Sequence, residues 1–224
     1  MSQSLANMTF SRPDGNPTHG YLAFAGPQRP GVVVIQEWWG LNAQICSIAD
    51  RYAEAGYNAL APDLYKGRVA SNADEASHLM TGLDFADATH QDLAGAVASL
   101  KARSGKIGIS GYCMGGALTV AACVHLPGIS AGVCFYGIPP AAFADPAKIK
   151  VPFQGHFADR DDWCTPAAVD TLESAMTGAG QAPEVFRYDA DHAFCNASRP
   201  EVYDAAAATL AWDRTIAFFA KHLA

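Results

Sequence analysis

No Cys-x-x-Cys pair occurs in this chain, although it carries six cysteines. That spacing excludes a zinc ribbon and a thioredoxin-like redox pair, and a chain of 224 residues can build a core without disulfide staples, so reduced thiols in a cytoplasmic protein are expected. Charge is sparse too: 17% of the residues are charged and the formal net charge is −7, which argues against nucleic acid or an anionic membrane surface as partner. No run approaches the ~18 apolar residues of a membrane span. The first residues, Met1 to Asn7, lack the basic flank and apolar stretch of a secretory signal. No Pro/Gly/Ser-rich linker, repeat or low-complexity segment interrupts the chain, and residues 1–224 read as a single domain.

What the chain does have is apolar material, half of its residues, arranged in short runs that alternate with longer helical segments. Gly31–Glu37, Asn58–Pro62, Ile107–Ser110, Ala131–Gly137, Val151–His156 and Glu184–Tyr188 read as strands. Ala43–Ala55, Asp84–Lys101, the segment after Cys113, Pro166–Gly178 and Tyr203–His222 read as helices. Continuous rather than alternating apolar strands, each followed by a helix, predict a mostly parallel central sheet covered on both faces. Asp63–Asp84, rich in Asp, Ser and Asn, reads as a surface loop or a cap over a site.

The strongest motif is Gly111-Tyr112-Cys113-Met114-Gly115-Gly116 between a strand and a helix. This is the strand-turn-helix setting of a nucleophile elbow, with cysteine where serine usually stands. Glycines at −2, +2 and +3 leave room for a sharp turn and point to a displayed side chain. The helix start aims unsatisfied N–H groups at the sulfur and favours the thiolate. Cys46, Cys123, Cys134, Cys164 and Cys195 are expected to be packing residues or incidental thiols.

In an open parallel sheet, ligands bind beyond the carboxyl ends of the strands. Glu37 closes the first strong strand, Asp159, Asp161 and Asp162 follow Val151–His156, and His192 follows Glu184–Tyr188. In chain order this is nucleophile, acid, histidine, as in serine-type hydrolases built on a parallel sheet. Asp161 leads as the acid with Asp162 close behind, and Asp159 is expected to face solvent or cap the next helix. His156, which also ends a strand, is the rival base.

These residues resemble the dienelactone hydrolase family, a cysteine-using branch of the α/β-hydrolase fold. The resemblance rests on Gly-Tyr-Cys-Met-Gly-Gly at 111–116, Gln-Glu-Trp-Trp-Gly at 36–40, Ala-Pro-Asp-Leu-Tyr at 61–65, Asp161, and Asp-His-Ala-Phe at 191–194, so it covers nearly the whole chain. It implies a Cys113–Asp161–His192 triad and an oxyanion hole made by the backbone N–H groups of Trp38 and Met114. It also implies that Glu37 holds the resting thiol and takes its proton when substrate binds. The activity implied is hydrolysis of a lactone or small carboxylic ester through an acyl-cysteine, with no cofactor and no metal.

The family's better-known members bind a substrate carboxylate with two arginines. Here position 196 is Asn, and Ala70–Leu100 contains neither Arg nor Lys. Arg199 and Arg68 are the substitutes within reach, and Trp39, Tyr112 and Phe194 are further candidate substrate contacts. An alternative on the same fold is a non-hydrolytic thiol protein in which Cys113 senses oxidants or electrophiles, with Cys195 as a resolving partner. The natural ester is left open, as is the choice between monomer and homodimer.

Overall fold

Four consecutive buried side chains, Val32 to Ile35, divide strictly by parity: Val32 and Val34 pack on one side of a sheet, Val33 and Ile35 on the other. A strand apolar on both faces must be covered on both, which is why the run is continuous. The computed structural model describes residues 2–224. In chain order the elements are β1 (Ser2–Gln3), β2 (Met8–Ser11), β3 (Pro17–Ala23), β4 (Gly31–Ile35), α1 (Ala43–Glu54), β5 (Asn58–Pro62), β6 (Arg68–Val69), α2 (Ala73–Thr81) and α3 (Phe85–Asp87). A π-helical segment, Ala88–Leu93, runs into α4 (Ala94–Lys101), followed by β7 (Ile107–Tyr112), α5 (Met114–His125) and β8 (Ile129–Phe135). A 3-10 turn at Pro146–Lys148 precedes β9 (Phe153–Arg160), α6 (Pro166–Gly178), β10 (Glu184–Asp191) and α7 (Ala205–Leu223).

Eight of these strands form one sheet in the order β10-β9-β8-β7-β4-β5-β3-β2. From β10 to β5 neighbouring strands are parallel, and β3 and β2 join as an antiparallel edge. Helices α1 and α7 cover one face, contributing Ile45, Tyr52, Phe218 and Phe219 to its core. The other face takes Leu118 and Val120 of α5, Val169 and Leu172 of α6, and Leu93 and Leu100 of the helical stretch before β7. This is the parallel, doubly covered sheet expected from the strand pattern.

The differences from that expectation are local. Strands β2 and β3 were not legible as strands because they form the partly exposed edge; β3 alternates where the central strands run continuously buried. Asp63–Asp84 is neither a plain loop nor a detached cap, since it contains β6, paired with β1, and helix α2. A capping box starts α2: Asn72 Oδ1 accepts from the Glu75 N–H at 2.9 Å, and Glu75 Oε2 accepts from the Ser71 N–H at 2.8 Å. The stretch expected as one helix from Asp84 is helical throughout but passes through the π segment. Helix α7 begins at Ala205, where Asp204 Oδ1 caps the Ala207 N–H.

Candidate active site

The turn after β7 holds Cys113 at φ 56°, a left-handed backbone that a non-glycine residue adopts only under constraint, at a cost of about 1–3 kcal/mol. The constraint is close packing. A Cβ on Gly115 would lie 2.4 Å from the Ile35 carbonyl oxygen, one on Gly116 2.4 Å from that of Phe135, and one on Gly111 2.0 Å from that of Gly115. The three glycines therefore wedge the elbow between β4 and β8. This is the room for a sharp turn that the glycine spacing predicts. The sharp turn leaves Cys113 partly exposed at the first turn of α5.

The loop after β9 turns Asp161 inward. Its Oδ1 accepts from the Trp163 and Cys164 N–H groups at 2.8 and 2.9 Å, and its Oδ2 accepts from His192 Nδ1 at 2.7 Å. Burial disfavours the charge on Asp161, but the His192 bond and the two backbone donors outweigh it and hold the carboxyl below its usual range. Asp159 and Asp162 are exposed, so the structure separates Asp161 from its neighbours. Burial pulls His192 down, yet hydrogen bonds to Asp161 and to Cys113 push it up to about 10. Asp161 thus holds His192 through Nδ1, and Cys113 lies close enough to His192 to act on its charge.

Glu37, 3% exposed, lies beside this chain after β4. Its Oε2 accepts from Asn196 Nδ2 at 2.6 Å and its Oε1 from the Tyr136 hydroxyl at 3.3 Å. Burial raises its pKa, opposed by Asn196, the charge of His192 and Tyr136. Cys113 acts on His192, while the two Glu37 oxygens each accept from a neutral donor. Tyr136 (φ 39°) and Ala193 (φ 66°) join Cys113 in left-handed backbone, so three of the site's strand-end turns are constrained. Among the described residues, neither the Trp38 nor the Met114 backbone N–H has a hydrogen-bond acceptor.

A cavity of about 760 Å³ opens over Cys113 and His192. Trp38, Trp39, Arg199 and Met114 line it. Tyr112 and Phe194 do not: both are buried in the core, Tyr112 stacked on Phe135 at 4.4 Å and Phe194 against Tyr188 at 4.9 Å. Parity explains Tyr112, which points through the sheet to the face opposite its neighbour's helix. Arg68 is also absent from the cavity, because β6 pairs with β1 and its Nε donates to the Tyr65 carbonyl at 3.2 Å. His156 is fully buried on the sheet and not at the site. Asn196, Tyr136 and Trp163 complete the site and were not among the expected contacts. The Asp-x-Trp spacing after β9 and the Gly137 following β8 are the only signals they leave in the sequence. Among the described residues no group of His, Cys, Asp and Glu is arranged to hold a metal ion, and no helix is long and apolar enough to cross a membrane.

The chain has clear relatives. The profile described as "Dienelactone hydrolase family" matches residues 19–223. "Protein usf" of Aquifex pyrophilus is 35% identical over 221 residues, covering 94% of this chain and 96% of the relative. The "Putative carboxymethylenebutenolidase" of Aquifex aeolicus is 32% identical with the same coverage. Among solved structures, the "Putative Dienelactone Hydrolase" of Klebsiella pneumoniae superposes with a TM-score of 0.85 at 25% identity, covering 96% of this chain and 98% of that one.

Proposed function

The chain belongs to the dienelactone hydrolase family and is an ester or lactone hydrolase, and from that premise we propose that it works through Cys113 and an acyl-cysteine intermediate. The observation that carries the reading is that His192, bonded to Asp161, lines the same cavity as Cys113 and feels its sulfur. Asp161, ionised and fixed by two backbone donors, holds His192 with Nδ1–H toward itself and Nε2 toward sulfur. With His192 held as imidazolium, the Cys113 thiolate attacks the ester carbonyl and a C–S bond forms. The carbonyl oxygen takes the charge, and the unpaired N–H groups of Trp38 and Met114 stabilise it; one such donor contributes about 3 kcal/mol in comparable sites. The C–O bond then breaks and the imidazolium gives its proton to the departing alkoxide, which in a lactone stays tethered to the acyl group.

The electrostatics then change in a useful direction. Once the sulfur is acylated, both of its contributions to His192 vanish, so the imidazole becomes less basic and remains neutral long enough to take a proton from attacking water. Water adds to the thioester, the thiolate leaves, and the imidazolium–thiolate pair is restored with release of the acid. Glu37, whose pKa burial raises, lines the same cavity as Cys113 and is the residue to which the resting thiol can turn. Cys195, the resolving partner the redox alternative would use, lines a second cavity beside Gln44 and Trp212 rather than the one over Cys113.

Stopped-flow hydrolysis of p-nitrophenyl acetate tests the mechanism. A burst followed by steady turnover is expected in the wild type, no burst in Cys113→Ala, and a burst that stalls in His192→Ala. Turnover retained by Cys113→Ala would rule out the acyl-cysteine.

A further inference from the structure

The cavity is far larger than an acetyl group needs; about 760 Å³ lies in the range that encloses a drug-sized molecule. Its wall is mostly aromatic and aliphatic, drawn from elements distant in sequence: Trp38 after β4, Met80 of α2, Phe85 of α3, Phe143 from the loop after β8, and Trp163 from the loop after β9. Trp38 stands edge-on to Trp39 at 5.2 Å and to Trp163 at 6.3 Å. Trp163 is 71% exposed, an unusual position for the largest apolar side chain. Its backbone is anchored, because its N–H is one of the two donors to Asp161 Oδ1. The same turn that fixes the acid therefore holds an indole at the mouth of the cavity, one side against Trp38 and the rest open.

The charges at the cavity point the same way. Both arginines that line it are committed to carboxylates: Arg160 bonds Asp189 and Asp191, and Arg199 bonds Glu201 at 2.8 Å while lying over Trp39. Asp162 lines the cavity with no cationic partner among the described residues. A substrate carboxylate entering here would lose its water, find both arginines already paired, and meet the Asp162 carboxylate besides. An uncharged ring meets apolar walls and indole edges, with about 0.5–1.5 kcal/mol per aromatic pair beyond the area buried.

We propose that this cavity selects uncharged esters carrying a bulky aromatic group and discriminates against esters bearing a free carboxylate, with Trp163 as the residue that sets the preference. The proposal rests on the hydrolase reading above but is separable from it. Trp163 acts by contact with the aromatic group and takes no part in proton transfer.

Two experiments divide the cases. In the first, kcat/KM is measured for 1-naphthyl acetate and p-nitrophenyl acetate, and for p-nitrophenyl butyrate against the p-nitrophenyl monoester of succinate, in wild type, Trp163→Phe and Trp163→Ala. The butyrate is expected to exceed the succinate monoester by at least tenfold in the wild type. Trp163→Ala is expected to lose at least tenfold more on the naphthyl ester than on the p-nitrophenyl ester, through KM, and Trp163→Phe to recover most of that loss. Equal treatment of butyrate and succinate, or equal loss on both acetates, would overturn the proposal while leaving the hydrolase reading standing. In the second, 2-acetylnaphthalene, which cannot be hydrolysed, is titrated into Cys113→Ala and followed by tryptophan fluorescence. Saturable quenching that weakens tenfold on adding Trp163→Ala supports the aromatic subsite even if no ester is turned over, and absence of such quenching overturns it.

Discussion

His156 and His192 follow neighbouring strand paths on the same sheet, and the two environments drive them in opposite directions. His156 lies inside β9, stacked between Phe135 at 4.6 Å and Phe186 at 5.6 Å. Its ring nitrogens are met by the Tyr188 hydroxyl and by Gln154 Oε1, both at 2.8 Å, with Thr215 Oγ1 at 3.2 Å from Nε2. Every partner is neutral, and burial together with the nearby Arg214 depresses it to about 3. His192 sits just past β10, where burial also acts against its charge, but a buried carboxylate and a cysteine sulfur override that and raise it to about 10. Burial alone does not make a histidine inert or reactive; the charge of its partners does.

Activity breaks the comparison most sharply. Asp161→Asn, which keeps the shape but removes the charge on His192, is expected to lower kcat/KM by about 10³–10⁴, and His192→Ala by a similar factor. His156→Gln is expected to change it by no more than about threefold. A loss through His156→Gln comparable with that through His192→Ala, in a folded protein, would overturn the assignment.

Stability against pH comes next. His156 stays neutral in the folded chain down to about 3 but takes a proton near 6.5 when unfolded. Its contribution is therefore complete above pH 6.5 and is lost as the pH falls toward 3, at up to about 1.4 kcal/mol per pH unit and on the order of 5 kcal/mol in all. Urea denaturation between pH 7 and 4 is expected to show this slope in the wild type and a flatter one in His156→Gln. His192 has the opposite sign: its contribution is present below 6.5 and is lost as the pH rises through about 10.

Two smaller tests sharpen the contrast. Tyr188→Phe leaves a His156 ring nitrogen without its partner and is expected to cost about 1–3 kcal/mol in urea denaturation, with kcat/KM unaffected beyond what destabilisation explains. Cys113→Ala removes the sulfur from His192 but leaves Asp161, so imidazole NMR is expected to show His192 titrating at lower pH than in the wild type, yet above 6.5. An unchanged His192 would mean that sulfur and imidazole are not coupled, and the thiolate–imidazolium reading would fall with it.

Much of this was legible before any coordinates. Buried parallel strands announce themselves because both faces need apolar side chains, and the Gly111–Gly116 elbow does so because only glycine fits where backbones approach to these distances. Edge strands β2 and β3 were missed since a half-exposed strand carries a weaker signal. Helix α2 carries a local start signal, with Asn72 Oδ1 accepting from the Glu75 N–H. Tyr112 and Phe194, next to the nucleophile and histidine in sequence, are core residues in space.

The sequence alone determined that Cys113, Asp161 and His192 stand in that order at strand ends, and that a parallel sheet carries them, because period and glycine spacing are local properties. Which aspartate meets His192, that Asn196 and Tyr136 rather than a cation attend Glu37, that both cavity arginines are already paired, and that Trp163 stands open at the mouth were decided only by the tertiary structure. Most of these depend on where one loop falls against another, and the partners of His192 and Glu37, tens to more than a hundred residues away, leave no periodicity to read.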